Sequence, residues 1–169
     1  MHKIVLIGFM GSGKSSVAPL LATRLHYSLV DLDSLVVQQS GLPTIPRIFS
    51  ERGEPAFREL EAQVAQSLRD ATRVVISTGG GIIGRSANIE NLRHGGGTVI
   101  FLKTSFDEIR RRISDISTRP LFKDPDHAAA LYETRLPLYT SYADMTVVTD
   151  EKTPEQVCSE IVSQFEVRS

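Results

Sequence analysis

The chain has 169 residues, of which 41% are hydrophobic and 23% charged, with a formal net charge of −1. That is enough chain for one domain with a real core. The near-neutral charge gives no support to a general nucleic-acid or membrane-surface binder. Cys158 stands alone, which excludes an intrachain disulfide and argues against a cysteine-based metal cluster; it reads as a small apolar filler on a late helix.

No apolar run approaches membrane-spanning length, and the first is too short for a signal peptide, so a reduced cytoplasm is the expected setting. Strand-like runs recur over 4–7, 29–30, 74–76, 99–102 and 145–148, with helical patterns between them. This alternation predicts a parallel sheet covered by helices on both faces, with ligands beyond the carboxyl ends of the strands.

The first strand leads directly into Gly8-Phe9-Met10-Gly11-Ser12-Gly13-Lys14-Ser15, which fits the phosphate-binding pattern G-x-x-x-x-G-K-[ST]. Glycines let backbone N–H groups approach a polyphosphate, and the following helix offers its positive end to the same anion. Lys14 can add positive charge at the β- and γ-phosphates, and the Ser15 hydroxyl suits Mg²⁺, which takes few protein ligands. A helix over 16–25 follows, interrupted in pattern by Pro19, which predicts a kink.

The second strand ends in Asp31-Leu32-Asp33. On an extended strand these two carboxylates would face one site together, Asp31 toward a metal and Asp33 toward a substrate hydroxyl. Taken alone, the same residues read as a turn with Asp33 capping a helix over 34–39. Downstream of a phosphate loop the paired-carboxylate reading is preferred.

The stretch 40–55 is rich in Gly and Pro yet carries Ile45, Ile48 and Phe49, which need burial, so it reads as a small lobe rather than a linker. A helix is predicted over 57–70 with Phe57, Leu60, Val64 and Leu68 as its buried stripe. Arg58 and Glu61, three apart, are neighbours on another face. The pattern alone favours a surface ion pair; the sharper reading has Glu61 holding Arg58 in one pose for a carboxylate.

Gly79-Gly80-Gly81 follows a buried strand and lets the backbone pass close to something, or is a plain flexible connection. Gly95-Gly96-Gly97 precedes a strand, at the other end of the sheet, and reads as a turn. Arg110, Arg111 and Arg112 form a solvated basic face by default, though one of them can stack on a purine. The polar, proline-bearing stretch about 114–124, with Arg119-Pro120, suits a lid over ATP. Arg135 and Tyr139 share one face of a helix over 126–141, readable simply as an exposed arginine above a half-buried tyrosine. Thr153 and Gln156 match a capping box with Pro154 at the first helical position.

In order and spacing the whole set resembles the shikimate kinase family of nucleoside-monophosphate-kinase-like P-loop proteins. The resemblance rests on the phosphate loop, the D-x-D of Asp31 and Asp33, the F-R-x-x-E of Phe57, Arg58 and Glu61, and the triple glycine. The R-P of Arg119-Pro120 and the R-x-P-x-Y of Arg135, Pro137 and Tyr139 complete it. It spans nearly the full chain and implies a single domain over 1–169 of three-layer α/β/α type. The implied core is a central five-stranded parallel sheet, with a substrate lobe about 33–60 and a lid.

The resemblance further implies transfer of the ATP γ-phosphoryl to the 3-hydroxyl of shikimate, giving shikimate 3-phosphate and ADP, in chorismate and aromatic amino acid biosynthesis. It puts Lys14, Asp33 and Arg119 in the catalytic set. Gly11, Ser12, Gly13, Lys14, Ser15, Ser16, Arg112, Arg119, Lys152 and Pro154 fall on the nucleotide. Asp33, Arg58, Glu61, Gly79, Gly80, Gly81 and Arg135 fall on the substrate, and Ser15 and Asp31 on Mg²⁺. A monomer is expected. Pro19 and Pro46 depart from the family pattern. Rival readings are another small-molecule kinase such as one for gluconate, a non-catalytic nucleotide-binding module, and a GTP switch, which would need N-K-x-D and D-x-x-G strings that do not occur here.

Overall fold

A computed structural model describes residues 2–113 and 124–168. The strands are β1 (Lys3–Ile7), β2 (Ser28–Asp31), β3 (Val74–Ser77), β4 (Gly97–Lys103) and β5 (Met145–Val148). All neighbours pair in parallel in the order β2-β3-β1-β4-β5, and in the central register Val5 lies beside both Ile76 and Val99. Parallel strands need crossover connections, and here helices supply them on both faces.

Alternation along β1 assigns the two cores. Val5 and Ile7 point to one side with Phe9, Ile76 and Phe101, beneath α4 (Glu54–Ser67), α5 (Ser86–Arg93) and α7 (Pro125–Tyr142). Ile4 and Leu6 point to the other with Val75, Ile100 and Val147, beneath α1 (Lys14–Leu25) and α8 (Pro154–Arg168). Cys158 sits in this second core as a buried filler. The expected three-layer architecture and all five strands are present.

Lys3 is buried among these apolar groups, with Nζ donating to the carbonyls of Leu68 at 3.0 Å and Arg69 at 2.7 Å. It thereby satisfies carbonyls just past the end of α4, and burial pushes its ammonium below the ordinary lysine range.

The stretch expected as a lobe, about 33–60, folds as α2 (Leu32–Ser40), α3 (Ile45–Arg52) and the first half of α4. Ile48 is fully buried, while Phe49 is partly exposed and lies 4.7 Å from the Phe57 ring. Pro46 falls in the first turn of α3, capped by Thr44, where a missing N–H costs nothing. Pro19 lies inside α1 on its exposed side, where solvent can serve the Ser15 carbonyl that its absent N–H would have bonded.

Two helices, α4 and α2, differ from the sequence reading in ways that bear on the site. Helix α4 starts at Glu54 and ends at Ser67 rather than spanning 57–70, because Pro55 opens its first turn. Helix α2 starts at Leu32, so Asp33 is not on an extended strand. The Thr153/Gln156 capping box is present, with reciprocal bonds of 2.8 and 3.2 Å. The proposed lid and Arg119 lie outside the described residues. Among the described residues no helix is long and apolar enough to cross a membrane.

Candidate active site

The strand order switches at β1, whose neighbour in the sheet on one side is β3 and on the other β4. Such a switch opens a crevice beyond the carboxyl ends of the strands. The phosphate loop fills this position. Gly13, at φ 97°, caps α1 in a backbone region that other residues rarely adopt, and no side chain caps the helix there. The first-turn N–H groups are therefore presented to whatever anion binds. Lys14 is buried and its Nζ donates to the carbonyls of Gly8 at 2.6 Å and Phe9 at 3.0 Å.

A cleft of about 320 Å³ runs from Met10, Gly11, Gly13, Lys14, Ser15 and Ser16 to Asp33, Thr78, Gly79 and Gly80, with Arg112 and Ile113 at its far wall. The loop and the acidic residue are thus in one cavity, although the geometry differs from the D-x-D expectation. Asp31 is the N-cap of α2, its Oδ1 accepting the Ser34 N–H at 3.0 Å, and Asp33 projects from the first helical turn. The cap is Asp31, not Asp33. Asp33 Oδ1 is buried without a hydrogen-bond partner. Burial first, then the Asp31 charge, raises the Asp33 carboxyl above its ordinary range, with Lys14 and Arg58 opposing.

Asp33 fits against bare backbone: a Cβ on Gly79 would lie 2.8 Å from its Oδ1. Gly81 serves Arg58 in the same way, since a Cβ there would lie 2.5 Å from Nη2. The triple glycine is therefore a close-approach device rather than a flexible connection. By contrast, a Cβ on Gly95 would meet nothing within 4 Å, as befits a plain turn.

The Arg58–Glu61 pair is not at the surface. Glu61 is 1% exposed, and its Oε1 accepts from Arg58 Nη1 at 3.0 Å while Oε2 has no hydrogen-bond partner. Burial raises the Glu61 carboxyl and Arg58 opposes that shift. A buried carboxylate holding Nη1 fixes the guanidinium's direction, while Nη2 lies 3.5 Å from the exposed Glu54 carboxylate, a looser ion pair. Arg135 comes from α7 to the same region: its Nη1 lies 3.2 Å from the position of a Gly80 Cβ, and its guanidinium lies 5.8 Å from the Phe9 ring. Tyr139, expected to be half-buried, is 1% exposed because its ring stacks on Phe101 in the sheet core.

A second cleft of about 270 Å³ continues past Ser12, Gly13 and Ser16 to Arg112, Thr149, Lys152 and Pro154. Arg112 lines both clefts. It is held by Glu108 through Nε at 3.0 Å and by the Thr149 carbonyl through Nη2 at 2.6 Å. Glu108 also takes Arg111, whose hydrogen bonds, followed by those of Arg112, hold its carboxyl below the usual range. Arg110 makes no part of this arrangement, so the three arginines have different surroundings. Lys152 Nζ pairs with Glu160 at 2.6 Å.

Sequence reasoning misses Thr149 and Glu108. The spacing of Glu108 to Arg111 and Arg112 is a visible signal on a helix; Thr149 carries none. Asp31 is brought near Asp33 but lines neither cleft. For a metal, Ser15 offers a hydroxyl in the cleft and Asp31 keeps one carboxylate oxygen outside its capping bond. These are hard oxygen donors, few in number, as Mg²⁺ takes them, and no larger His/Cys/Asp/Glu group able to hold a metal occurs among the described residues.

A parallel sheet of this order, a phosphate loop at its switch point, and a facing acid and arginine cluster define a P-loop kinase that acts on a small anionic acceptor. The shikimate kinase family model matches residues 10–166. The shikimate kinase of Caldicellulosiruptor bescii is 40% identical over 166 residues, covering 96% of this chain and 95% of that one. That of Sulfurihydrogenibium sp. is 37% identical over 169 residues, covering 99% and 100%. Among solved structures, shikimate kinase from Acinetobacter baumannii in complex with shikimate superposes with a TM-score of 0.91 at 30% identity, covering 99% of this chain and 94% of that one. The Aquifex aeolicus enzyme gives 0.82 at 36%, covering 98% and 97%. The chain belongs to the shikimate kinase family, and its activity is that of a shikimate kinase.

Proposed function

We propose that this site carries the γ-phosphoryl group of ATP to the 3-hydroxyl of shikimate, with Asp33 aligning and deprotonating that hydroxyl. The observation that carries this reading is Asp33 Oδ1, buried and without a hydrogen-bond partner in the same cleft as Lys14 and Ser15. A buried acceptor left unpaired in the free protein is costly, and a substrate hydroxyl would satisfy it. The raised Asp33 pKa moves the carboxylate toward the range in which a general base is effective near neutral pH.

In the reaction the acceptor oxygen forms a bond to the γ-phosphorus, the bond to the bridging oxygen breaks, and ADP departs with that electron pair. The hydroxyl proton goes to Asp33 Oδ1. Backbone N–H groups of Gly11 to Ser16 and the ammonium of Lys14 neutralise the phosphates. Mg²⁺ held by Ser15, with Asp31 nearby, supplies further neutralisation of phosphate charge when bound. Arg58 and Arg135 grip the substrate carboxylate, with Glu61 fixing the direction of Arg58. Gly80, with Gly79 and Gly81 beside it, donates a backbone N–H to a ring hydroxyl. Arg112, Lys152 and Pro154 flank the adenine, and Arg119 is assigned to the transferring phosphoryl by family resemblance.

The Acinetobacter baumannii relative, solved in complex with shikimate, supports the acceptor assignment. An ADP-release assay with shikimate, quinate and gluconate tests it: turnover is expected with shikimate, and none would refute the reading. The chain is proposed to act as a monomer, because the exposed large apolar residues among those described, Leu29, Phe49, Leu138, Val148 and Val167, are scattered over different elements; a cytoplasmic setting is proposed with its lone, buried cysteine. A sedimentation measurement returning twice the chain mass would overturn the monomer.

A further inference from the structure

The segment after β3 runs through three glycines into a short 3-10 turn, Ile82–Gly84, so its backbone has little path preference of its own. Three side chains hold it. The Thr78 hydroxyl donates to the Leu6 carbonyl at 2.7 Å, and the Asn88 side-chain amide donates to the Ile82 carbonyl at 3.1 Å. The Tyr139 hydroxyl donates to the Gly80 carbonyl at 2.6 Å. Thr78 and Asn88 stand at the two ends of the segment. Tyr139 reaches its middle from α7, one helical turn beyond Arg135.

The ring of Tyr139 cannot wander. It is 1% exposed and stacks on Phe101 at 5.1 Å between centroids with 26° between planes. A Cβ built on Gly80 would lie 3.2 Å from Arg135 Nη1 and 3.6 Å from the Tyr139 hydroxyl, so the guanidinium, the phenol and the glycine converge. Burial pushes the phenol up to about 12, with Arg135 opposing, so the hydroxyl keeps its proton and stays a donor at neutral pH. In a trans peptide a carbonyl and the next N–H point opposite ways, and the described chain holds no cis bond. Fixing the Gly80 carbonyl therefore fixes the Gly80–Gly81 peptide, and it leaves the Gly80 N–H only the rotations about its own Cα.

We propose that Tyr139 is a positioning residue for the acceptor: by tying the Gly80 carbonyl to α7, its hydroxyl holds the glycine segment and Arg135 in one register. The inference rests on reading Gly80 and Arg135 as substrate contacts. Tyr139 acts through both of them. Without the hydroxyl the Gly80–Gly81 peptide keeps only the flanking backbone bonds, Ile82 N–H to the Gly79 carbonyl and Gly84 N–H to the Gly81 carbonyl, and loses its tie to the helix that carries Arg135.

Steady-state kinetics with shikimate and ATP on Tyr139→Phe, Tyr132→Phe and Arg135→Ala test this. Tyr139→Phe keeps the stacked ring and removes one hydroxyl. Its KM for shikimate is expected to rise roughly tenfold, the loss of about one hydrogen bond, with the KM for ATP within about twofold of wild type. Tyr132→Phe removes the other buried hydroxyl of α7, which donates to the Thr104 carbonyl at 2.7 Å away from the glycine segment, and should leave the shikimate KM alone. 4-Aminophenylalanine at position 139 restores a donor at the same place and should recover shikimate binding. An unchanged shikimate KM in Tyr139→Phe overturns the proposal. So does an equal rise in both tyrosine variants, or a Tyr139→Phe protein that does not fold, since the hydroxyl would then serve the helix as a whole. Arg135→Ala separates the two layers: if it leaves the shikimate KM unchanged, the substrate-site reading itself fails. If it alone raises that KM, only the role of Tyr139 fails.

Discussion

The two halves of the site are built by opposite means. The proposed phosphate half is one contiguous stretch, Gly8 to Ser16, which offers backbone groups to an anion and whose charged residue is already bonded to its own loop, Lys14 to the Gly8 and Phe9 carbonyls. The acceptor half is assembled from α2, α4, the segment after β3 and α7, and it works with side chains. It holds two of the three buried side-chain polar atoms that have no hydrogen-bond partner among the described residues, Asp33 Oδ1 and Glu61 Oε2. An anion held by many backbone amides needs a local fold, whereas an asymmetric polyol acid needs different charges at separated points, which only distant elements can supply. The unsatisfied oxygens lie where the proposed substrate would bring its own donors.

The sharpest break between the halves is expected at Asp33. Asp33→Asn should lower turnover by roughly 10²- to 10⁴-fold, the usual worth of a general base, with the KM for ATP kept. Near-normal activity would remove Asp33 from the catalytic set. The same variant should melt higher than wild type at neutral pH. A carboxyl raised by burial contributes its stability below the ordinary carboxylate pKa and loses it as pH rises through the raised folded value. The advantage of asparagine should therefore fade as the solution is acidified, and thermal melts across roughly pH 4 to 8 would check the direction.

Next comes Arg58→Ala, which should raise the shikimate KM by roughly 10- to 100-fold through loss of charged hydrogen bonds, again with ATP binding kept. Weakened ATP binding instead would place Arg58 in the phosphate half.

The two triple glycines give a smaller and cleaner contrast. Gly81→Ala puts a Cβ 2.5 Å from Arg58 Nη2 and should raise the shikimate KM about tenfold by moving that guanidinium. Gly95→Ala meets no atom within 4 Å but holds a φ of +73°, so it should cost about 1–2 kcal/mol of stability and leave both KM values unchanged. Equal kinetic effects from the two would mean that the segment after β3 is only a connection.

The smallest effect is expected at Lys152→Ala. Its ammonium already pairs with Glu160 at 2.6 Å, with both side chains 34% exposed, so the KM for ATP should change by less than about threefold. A larger change would make Lys152 a primary nucleotide contact.

Much of this architecture is legible in the order of residues. The inner strands β1, β3 and β4 show as apolar runs because they are buried on both faces, while the edge strands β2 and β5, partly exposed, show as shorter or alternating ones. The phosphate loop shows because its glycines, lysine and serine must be adjacent. Asp33 is legible for a partly wrong reason. Strand geometry would pair it with Asp31, but the chain turns into a helix at Leu32, and Asp31 spends one oxygen on capping it. The Arg58–Glu61 spacing predicts the contact, while its depth depends on how α4 packs against α2, α3 and α5. Thr149 carries no signal in the sequence, and for Tyr139 the spacing shows the shared face with Arg135 but not the Gly80 carbonyl it meets, which depends on packing.

The sequence by itself determined the elements, the sheet class and the phosphate-binding end, because those depend on periodicity and on neighbours along the chain. The tertiary structure alone decided how deeply Glu61 is buried, which oxygen of Asp33 is left unpaired, and that Tyr139 and Arg135 meet the glycine segment. Those features depend on distances between residues far apart in the chain, and burial and charge act through such distances whatever the order of residues along it.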